Sequence, residues 1–377
     1  MQDLPDACGA ALAGRGRPQP ARPIPHRSPI VLQTAFAARH GLTARELLGT
    51  LDRFAGLRVL VVGDVIIDEY VDCVPLGVSR EDGSVVLSPS KEARFLGGAG
   101  IVAAHARALG AEVTFLTVCG ADEAASFAAE MLDGFGVDHA ILADISRPTT
   151  RKQRFRVDGR IAMRLSHLCP HDIADVLHER LAGHALSLLP RTDLLMFSDF
   201  NYGCLPQRLV ATLTEAASAR GVSRAADSQT SSQQGDIARF AGMDLVTPTE
   251  REARLALQNF DSRLAEVAAA LRRKARAAQV AVTLGAQGLL LHARKGAVYH
   301  SDRLPAFNTE PKDVSGAGDC YFAASAMALA AGADPWCGAY LGALAAACKV
   351  GRVGNTPIRK ADVAAELSMA GSSNLDR

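Results

Sequence analysis

The chain has 377 residues, 48% of them hydrophobic, which is enough for a sizeable core in one large or two smaller α/β units. Lys and Arg number 41 against 40 Asp and Glu, a formal net charge of +1, so the balance of charge argues against a general binder of nucleic acid or of acidic membrane surfaces. No apolar run reaches membrane-spanning length, and the eight cysteines form no C-x-x-C pair, so they read as reduced core thiols of a cytoplasmic protein.

Residues 1–30 are rich in Pro, Arg and Ala and lack hydrophobic periodicity. They read as a disordered tail, which is expected to extend to about residue 40. A short helix is expected at about 41–55, with Thr43 as N-cap and Glu46 three residues on. Arg58-Val-Leu-Val-Val-Gly63 opens an apolar strand predicted to run to residue 67. Further strands are predicted at 113–118, 194–198, 223–227, 244–247, 280–284, 288–293 and 297–301. Helices are predicted at 99–109, 122–135, 173–187, 206–219, 249–257, 262–277, 316–332 and 336–349. Apolar strands alternating with helices specify an α/β fold, a mostly parallel sheet covered on both faces, across residues 41–377. Two stretches, about 70–95 and 147–166, instead alternate polar with apolar residues. They are expected to form a small antiparallel sheet that projects as a lid, its edges covered by a second subunit.

Several segments carry chemistry. Asp64 and Asp68 flank the end of the first strand, where carboxylates of a parallel sheet face the ligand crevice. A carboxylate accepts from two adjacent sugar hydroxyls, although Asp64 reads equally well as a turn residue. Gly98-x-Gly100-x-x-Ala103, with Asp122 and Glu123 about twenty residues on, fits a dinucleotide fingerprint. Its context is wrong, because Ser90-Lys-Glu-Ala-Arg94 rather than an apolar strand precedes it. His167-x-Cys169-x-His171 has alternating metal-type ligands, but Pro170 interrupts the strand they would need, and a polar loop is the better reading. Thr249 and Glu252 fit the two ends of a helix capping box.

Asp313-Val-Ser-Gly-Ala-Gly-Asp319 runs straight into an Ala-rich apolar helix. Gly316, Ala317 and Gly318 therefore stand at a helix N-terminus, where unpaired N–H groups and the helix dipole attract an anion. Asp319 at the same place would repel a resting phosphate. It makes sense as a base that takes the proton from an attacking hydroxyl.

This last motif resembles the signature of the ribokinase/PfkB family of carbohydrate kinases. The resemblance runs from about Arg58 to Leu367 and implies a ribokinase-like three-layer α/β/α fold. It implies that Asp319 is the catalytic base and that the 316–318 amides form an anion hole. Gly97-Gly98 and Asp68 match the family's sugar-binding positions. Ser198-Asp199-Phe-Asn-Tyr-Gly203 and Arg147-Pro-Thr-x-x-Lys152-x-Arg154 resemble segments of the family's heptose 7-phosphate kinases, which places Asp199, Lys152 and Arg154 beside the substrate. Arg80, Arg164, Lys152 and Arg154 read either as phosphate partners or as solvated lid residues. Asp227, Thr249 and Glu252 fall on the nucleotide side, with Glu252 holding Mg²⁺ through water. Thr283, Gly285 and Gly288 match the nucleotide-phosphate turn, and Asp313 the region that binds a monovalent cation such as K⁺. Gly351 to Asn355 match the border of the adenine pocket. Ile101, Tyr202, Gln229 and Thr249 depart from the family's residues. The resemblance thus implies an ATP- and Mg²⁺-dependent sugar kinase, dimeric through its lid. The departures keep a non-catalytic sugar- or nucleotide-binding protein as the alternative.

Overall fold

The strand Arg58–Gly63 (β1) is buried at every residue after Arg58. It lies in the middle of a sheet with helices on both faces, which is why its sequence is a continuous apolar run. The computed structural model describes residues 35–230 and 235–372. Its remaining strands, in chain order, are β2 (Val65–Val78), β3 (Val85–Gly98), β4 (Glu112–Cys119), β5 (Asp138–Ala143), β6 (Thr150–Val157) and β7 (Arg160–His167). They continue with β8 (Leu194–Asp199), β9 (Ser223–Ser228), β10 (Leu245–Val246), β11 (Gln279–Thr283), β12 (Leu289–Lys295) and β13 (Val298–Leu304).

Nine strands form the main sheet in the order β13-β12-β11-β10-β9-β8-β1-β4-β5. All pairs from β11 to β5 are parallel, and β11, β12 and β13 close one edge as antiparallel neighbours. A separate four-stranded sheet, β3-β2-β6-β7, is the expected lid.

The helices are α1 (Ala35–His40), α2 (Ala44–Arg53), α3 (Ala99–Ala108), α4 (Glu123–Phe135), α5 (Asp175–Leu188) and α6 (Gln207–Ser218). They continue with α7 (Glu250–Leu257), α8 (Leu264–Lys274), α9 (Ala317–Ala330), α10 (Pro335–Val350) and α11 (Lys360–Ser372). Two hydrophobic cores lie on opposite faces of the sheet. The face packed by α9 and α10 is rich in Ala and Gly. Its small residues let the two helices approach closely, and a Cβ on Gly342 would run into the Ser325 hydroxyl.

Some local expectations need correction. The strand expected at 58–67 is two strands, because the chain turns at Asp64 and β2 leaves the main sheet for the lid. The lid is mixed and not purely antiparallel. Its two hairpins, β2–β3 and β6–β7, are antiparallel, but β2 and β6 join them as a parallel pair. The tail boundary at residue 40 is too late. Residues 1–34 lie outside the described residues, but Ala35–His40 form α1, and Phe36 buries its ring 6.0 Å from that of Trp336. His40 stacks on the same Trp336 at 4.0 Å and pairs with Asp302. β5 and α11 have no counterpart among the predicted elements. β5 is a short edge strand that is only partly buried, so its alternation is weak. Among its described side chains, α11 has only Val363 and Leu367 as buried apolar anchors, too few for a periodic signal.

Candidate active site

β1 pairs with β4 on one side and with β8 on the other, and a crevice opens at the carboxyl ends of these strands. The lid rises beside it. A cleft of about 360 Å³ between the two is lined by Asp68, Lys152, Arg154 and Arg164 from the lid and by Gly316 and Asp319 from the main domain. Arg80 does not line it and lies exposed just beyond the end of β2.

Asp319 lies in the first turn of α9 and is buried. Burial, with Asp68 adding repulsion, raises its pKa to about 7, and Lys152, Lys349 and a hydrogen bond from Gln229 oppose the rise. The Gln229 Nε2 donates to Asp319 Oδ1 at 3.0 Å. A carboxyl group poised near neutrality, in reach of a cleft, suits proton transfer.

Asp68 on β2 accepts from Arg154 Nη1 at 2.6 Å and from Asn355 Nδ2 at 3.3 Å. Gly97 and Gly98 lie across from it at the end of β3. A Cβ on Gly97 would collide with the Asp68 carboxylate, and one on Gly98, whose φ is +59°, would collide with the Asp64 carbonyl. Gly97 is glycine because no side chain fits between β3 and this carboxylate, and Gly98 because its left-handed φ and the Asp64 carbonyl leave no place for a Cβ. Lys152 Nζ sits 5.2 Å from the ring centres of both Phe200 and Tyr202, which hold it over the cleft.

Gly316 caps α9 with φ +73°, and a Cβ there would overlap the Asn355 amide oxygen. Asp313 fixes the loop before it, accepting from the backbone N–H groups of Ser315 and Gly354, each at 2.9 Å. Burial pushes the Asp313 pKa up, but these N–H groups, the Ser315 hydroxyl and Lys349 outweigh it and hold it below the usual carboxylate range. Tyr70 reaches in from the lid and donates to Ser315 Oγ at 3.1 Å.

On the other side of Asp319 is a cluster of carboxylates. Asp227 on β9 accepts from Thr247 Oγ1 at 2.8 Å, and burial, Glu252 and Asp319 all drive its pKa upward. Glu252 accepts from Thr249 N and Thr230 N, each at 2.7 Å, and Thr249 Oγ1 accepts in turn from Glu252 N at 3.3 Å. The capping box is complete, so the first duty of Glu252 is to hold α7 and the 230 loop. Among the described residues no three His, Cys, Asp or Glu side chains converge tightly enough to ligate a metal directly, the 167–171 segment included. Asp227 and Glu252 repel each other, a repulsion that a divalent cation would relieve, and two carboxylates are as many as Mg²⁺ ordinarily takes from a protein, so the pair fits that ion. Thr283 lies next to this cluster through its bridge to Thr249. Gly285 and Gly288 form the turn that follows, and Gly351 ends α10.

A sequence model described as pfkB family carbohydrate kinase matches residues 57–361. The chain belongs to the pfkB family of carbohydrate kinases. It is 32% identical over 333 residues to "Bifunctional protein HldE" of Hyphomonas neptunium, an alignment that takes in 86% of this chain and 66% of that protein. The chain thus spans just under two thirds of the length of that curated relative. In fold it is similar to phosphofructokinase-2 of Escherichia coli in complex with potassium (TM-score 0.68, 16% identity, 84% of this chain and 99% of that one). It is also similar to Arabidopsis thaliana ribokinase complexed with ribose and ATP (TM-score 0.64, 20% identity, 82% and 98%). The ribokinase-like α/β fold follows from the structural likenesses, and the carbohydrate-kinase class from the family model. Kinases of this family use ATP and Mg²⁺ in general.

Within this pfkB-family kinase, two residues expected beside the sugar do something else. The Asp64 carboxylate accepts from the backbone N–H groups of Phe200, Tyr202 and Cys204 at 2.8, 3.4 and 3.1 Å. Burial and the neighbouring Asp199 raise its pKa to about 6, and these three N–H groups pull against that rise. It is the anchor of the 200–204 loop. Asp199 is wholly enclosed, accepting from Ser228 Oγ at 2.8 Å and pairing with Arg239 at 2.9 Å. Neither lines the cleft. The polar sequence near each strand end signals a site but not which carboxylate faces it.

The dinucleotide fingerprint also falls. Gly98 ends an antiparallel lid strand, Asp122 caps α4, and Glu123 pairs with Arg94. Of the departures from the family pattern, Ile101 is buried in α3 and Tyr202 packs beneath Lys152, whereas Gln229 touches the candidate base itself. Two contacts of the cleft are not legible in the sequence. Asn355 belongs to the segment assigned to the adenine border, yet its amide reaches Asp68 on the acceptor side. Tyr70 carries no signal at all, since its hydroxyl meets Ser315 only through lid pairing.

Proposed function

We propose that this kinase transfers the γ-phosphoryl group of ATP to a hydroxyl of a sugar phosphate, with a heptose 7-phosphate as the first acceptor to test. The observation that carries the reading is Asp319, buried at the N-terminus of α9 with a pKa of about 7 and opening on the cleft. Asp68 and the Gly97-Gly98 turn hold the acceptor's hydroxyls. Asp319 Oδ takes the proton as the hydroxyl attacks. The Gly316–Gly318 amides, at the positive end of α9, face the transferring group, and donors of this kind are worth about 3 kcal/mol each. Bound Mg²⁺ supplies charge neutralisation to the ATP phosphates, and Asp227 and Glu252 would hold it through water.

Support for a phosphorylated acceptor comes from the lid, whose Lys152 and Arg164 line the cleft together with Arg154. A phosphate at this rim pairs with such cations. The heptose assignment rests on the likeness of the 147–154 and 198–203 segments to heptose-phosphate kinases. A second copy of the chain would cover the lid, where Leu76, Val85 and Met163 are at least half exposed. No helix among the described residues is long and apolar enough to cross a membrane, and we place the activity in the cytoplasm.

The deciding test is ADP release from Mg-ATP with heptose 7-phosphate, fructose 6-phosphate, fructose and ribose. Turnover with a phosphorylated sugar alone supports the reading. Preference for an unphosphorylated sugar removes the phosphate assignment but keeps the kinase.

A further inference from the structure

Lys349 lies in the last turn of α10 and is wholly buried. Its Nζ has no hydrogen-bond partner among the described residues. An ammonium taken from water without hydrogen bonds is costly, and it persists only where opposite charge or function requires it. Burial lowers its pKa, while Asp313, Cys320 and Asp319 push it back up. The same group lowers the pKa of Asp313 and of Asp319 in turn. His105 stands beside it and is held neutral, its pKa down at about 3 through burial and the charges of Lys349 and Arg352. The ammonium is thus in electrostatic reach of both ends of the Asp313–Asp319 loop. The backbone ties that loop to the same helix, since Lys312 N and Asp313 N donate to Val350 O at 2.7 and 3.2 Å.

An alkali cation in this place would need a cage of oxygens to replace its hydration shell. The most acidic group of the loop does not offer one. Both oxygens of Asp313 are engaged by backbone N–H groups, of Ser315 and of Gly354. A second cation here would also face the charge of Lys349. Asp313, the residue expected beside K⁺, is thus already served by two backbone N–H groups and by the charge of Lys349.

We propose that Lys349 is a built-in cation for the Asp313–Asp319 loop, standing where a bound alkali ion would otherwise act and making the protein independent of K⁺. It is a positioning residue. Its fixed charge behind the N-terminus of α9 adds to the potential on an anion at the Gly316–Gly318 amides, with no reorganisation needed when that anion arrives. The inference rests on the kinase reading only for the identity of the anion.

The test is Mg-ATP affinity by calorimetry, with Tm measured alongside, at equal ionic strength in K⁺, Na⁺ or tetramethylammonium. The wild-type protein is expected to give the same Kd within about twofold in all three, and Tm values that do not depend on the cation. Lys349→Met is expected to bind ATP at least about tenfold more weakly in tetramethylammonium and to recover part of that loss in K⁺. Lys349→Arg should remain cation-independent. A saturable K⁺ effect of about fivefold or more on the wild type overturns the proposal, and so does a Lys349→Met protein that matches the wild type in every buffer. Should Lys349→Met fail to fold, the wild-type series and Lys349→Arg still decide. Absence of ATP binding in all buffers would remove the nucleotide reading instead, and the wild-type Tm series would then report K⁺ binding by itself.

Discussion

Gln229 bridges two carboxylates: its Nε2 donates to Asp319 Oδ1 at 3.0 Å and lies 3.3 Å from Asp227 Oδ2. A neutral amide here stabilises the ionised base by one hydrogen bond and adds no charge. A Lys would add a full charge and hold Asp319 ionised to much lower pH. The near-neutral pKa of Asp319 is thus tied to Gln229, where the sequence resemblance leads one to expect a lysine.

Exchanging Gln229 should therefore move the pH profile in opposite directions. Gln229→Ala removes a bond that lowers the Asp319 pKa, so the acidic limb of kcat/KM is expected to rise above its wild-type position near 7. Gln229→Lys should shift it down by about one unit or more. A limb that stays in place in both variants would separate the titrating base from Asp319.

Asp319→Asn should lower kcat by about 10²–10⁴ fold, the range typical of a lost general base. It should also stabilise the fold at alkaline pH. The folded pKa of Asp319, about 7, lies above the ordinary carboxylate value of 3.8, so the folded state holds the extra proton between them. Ionising the buried group costs stability as pH rises through this window, and the cost is fully present above about pH 7. The gain in Tm from Asn is expected to be largest near about pH 8 and to vanish toward about pH 4. Thermal melts of both proteins across that range measure it.

Gly316 and Gly318 belong to one motif but should respond differently to alanine. Gly316 has a left-handed φ of +73° and no room for a Cβ beside Asn355, whereas a Cβ on Gly318 meets nothing within 4 Å. Gly316→Ala should cost about 1–2 kcal/mol from backbone conformation alone and more from the clash. Gly318→Ala should leave stability within about 0.5 kcal/mol of wild type. Urea titrations of the two variants give the comparison.

Asp64→Ala is expected to act on stability and not on acceptor binding. It orphans the three backbone N–H groups of Phe200, Tyr202 and Cys204. Each orphaned buried donor costs about 1–3 kcal/mol, so a loss of about 3 kcal/mol or more is expected. KM for the acceptor should change less than about twofold in protein that remains folded. A rise in KM of about tenfold with unchanged stability would return Asp64 to the substrate site.

Local rules were enough for the features built from consecutive residues. Apolar runs and helical periodicity place most core strands and helices, because burial on both faces leaves a continuous signal in the chain. The glycines and Asp319 at the start of α9 are legible for the same reason: an anion site at a helix N-terminus is made by neighbours in sequence. What each carboxylate does is a matter of long-range contacts. Asp68 meets Arg154 from 86 positions away and Asn355 from 287 positions away, whereas Asp64, four residues before it, turns inward to hold a loop. The two are equally acidic in sequence. Which one reaches the cleft depends on where the chain leaves the main sheet for the lid, and that turn is set by pairing between distant strands. Lys349 makes the same point, since a lysine near a helix C-terminus reads as a solvated residue until the packed fold closes over it.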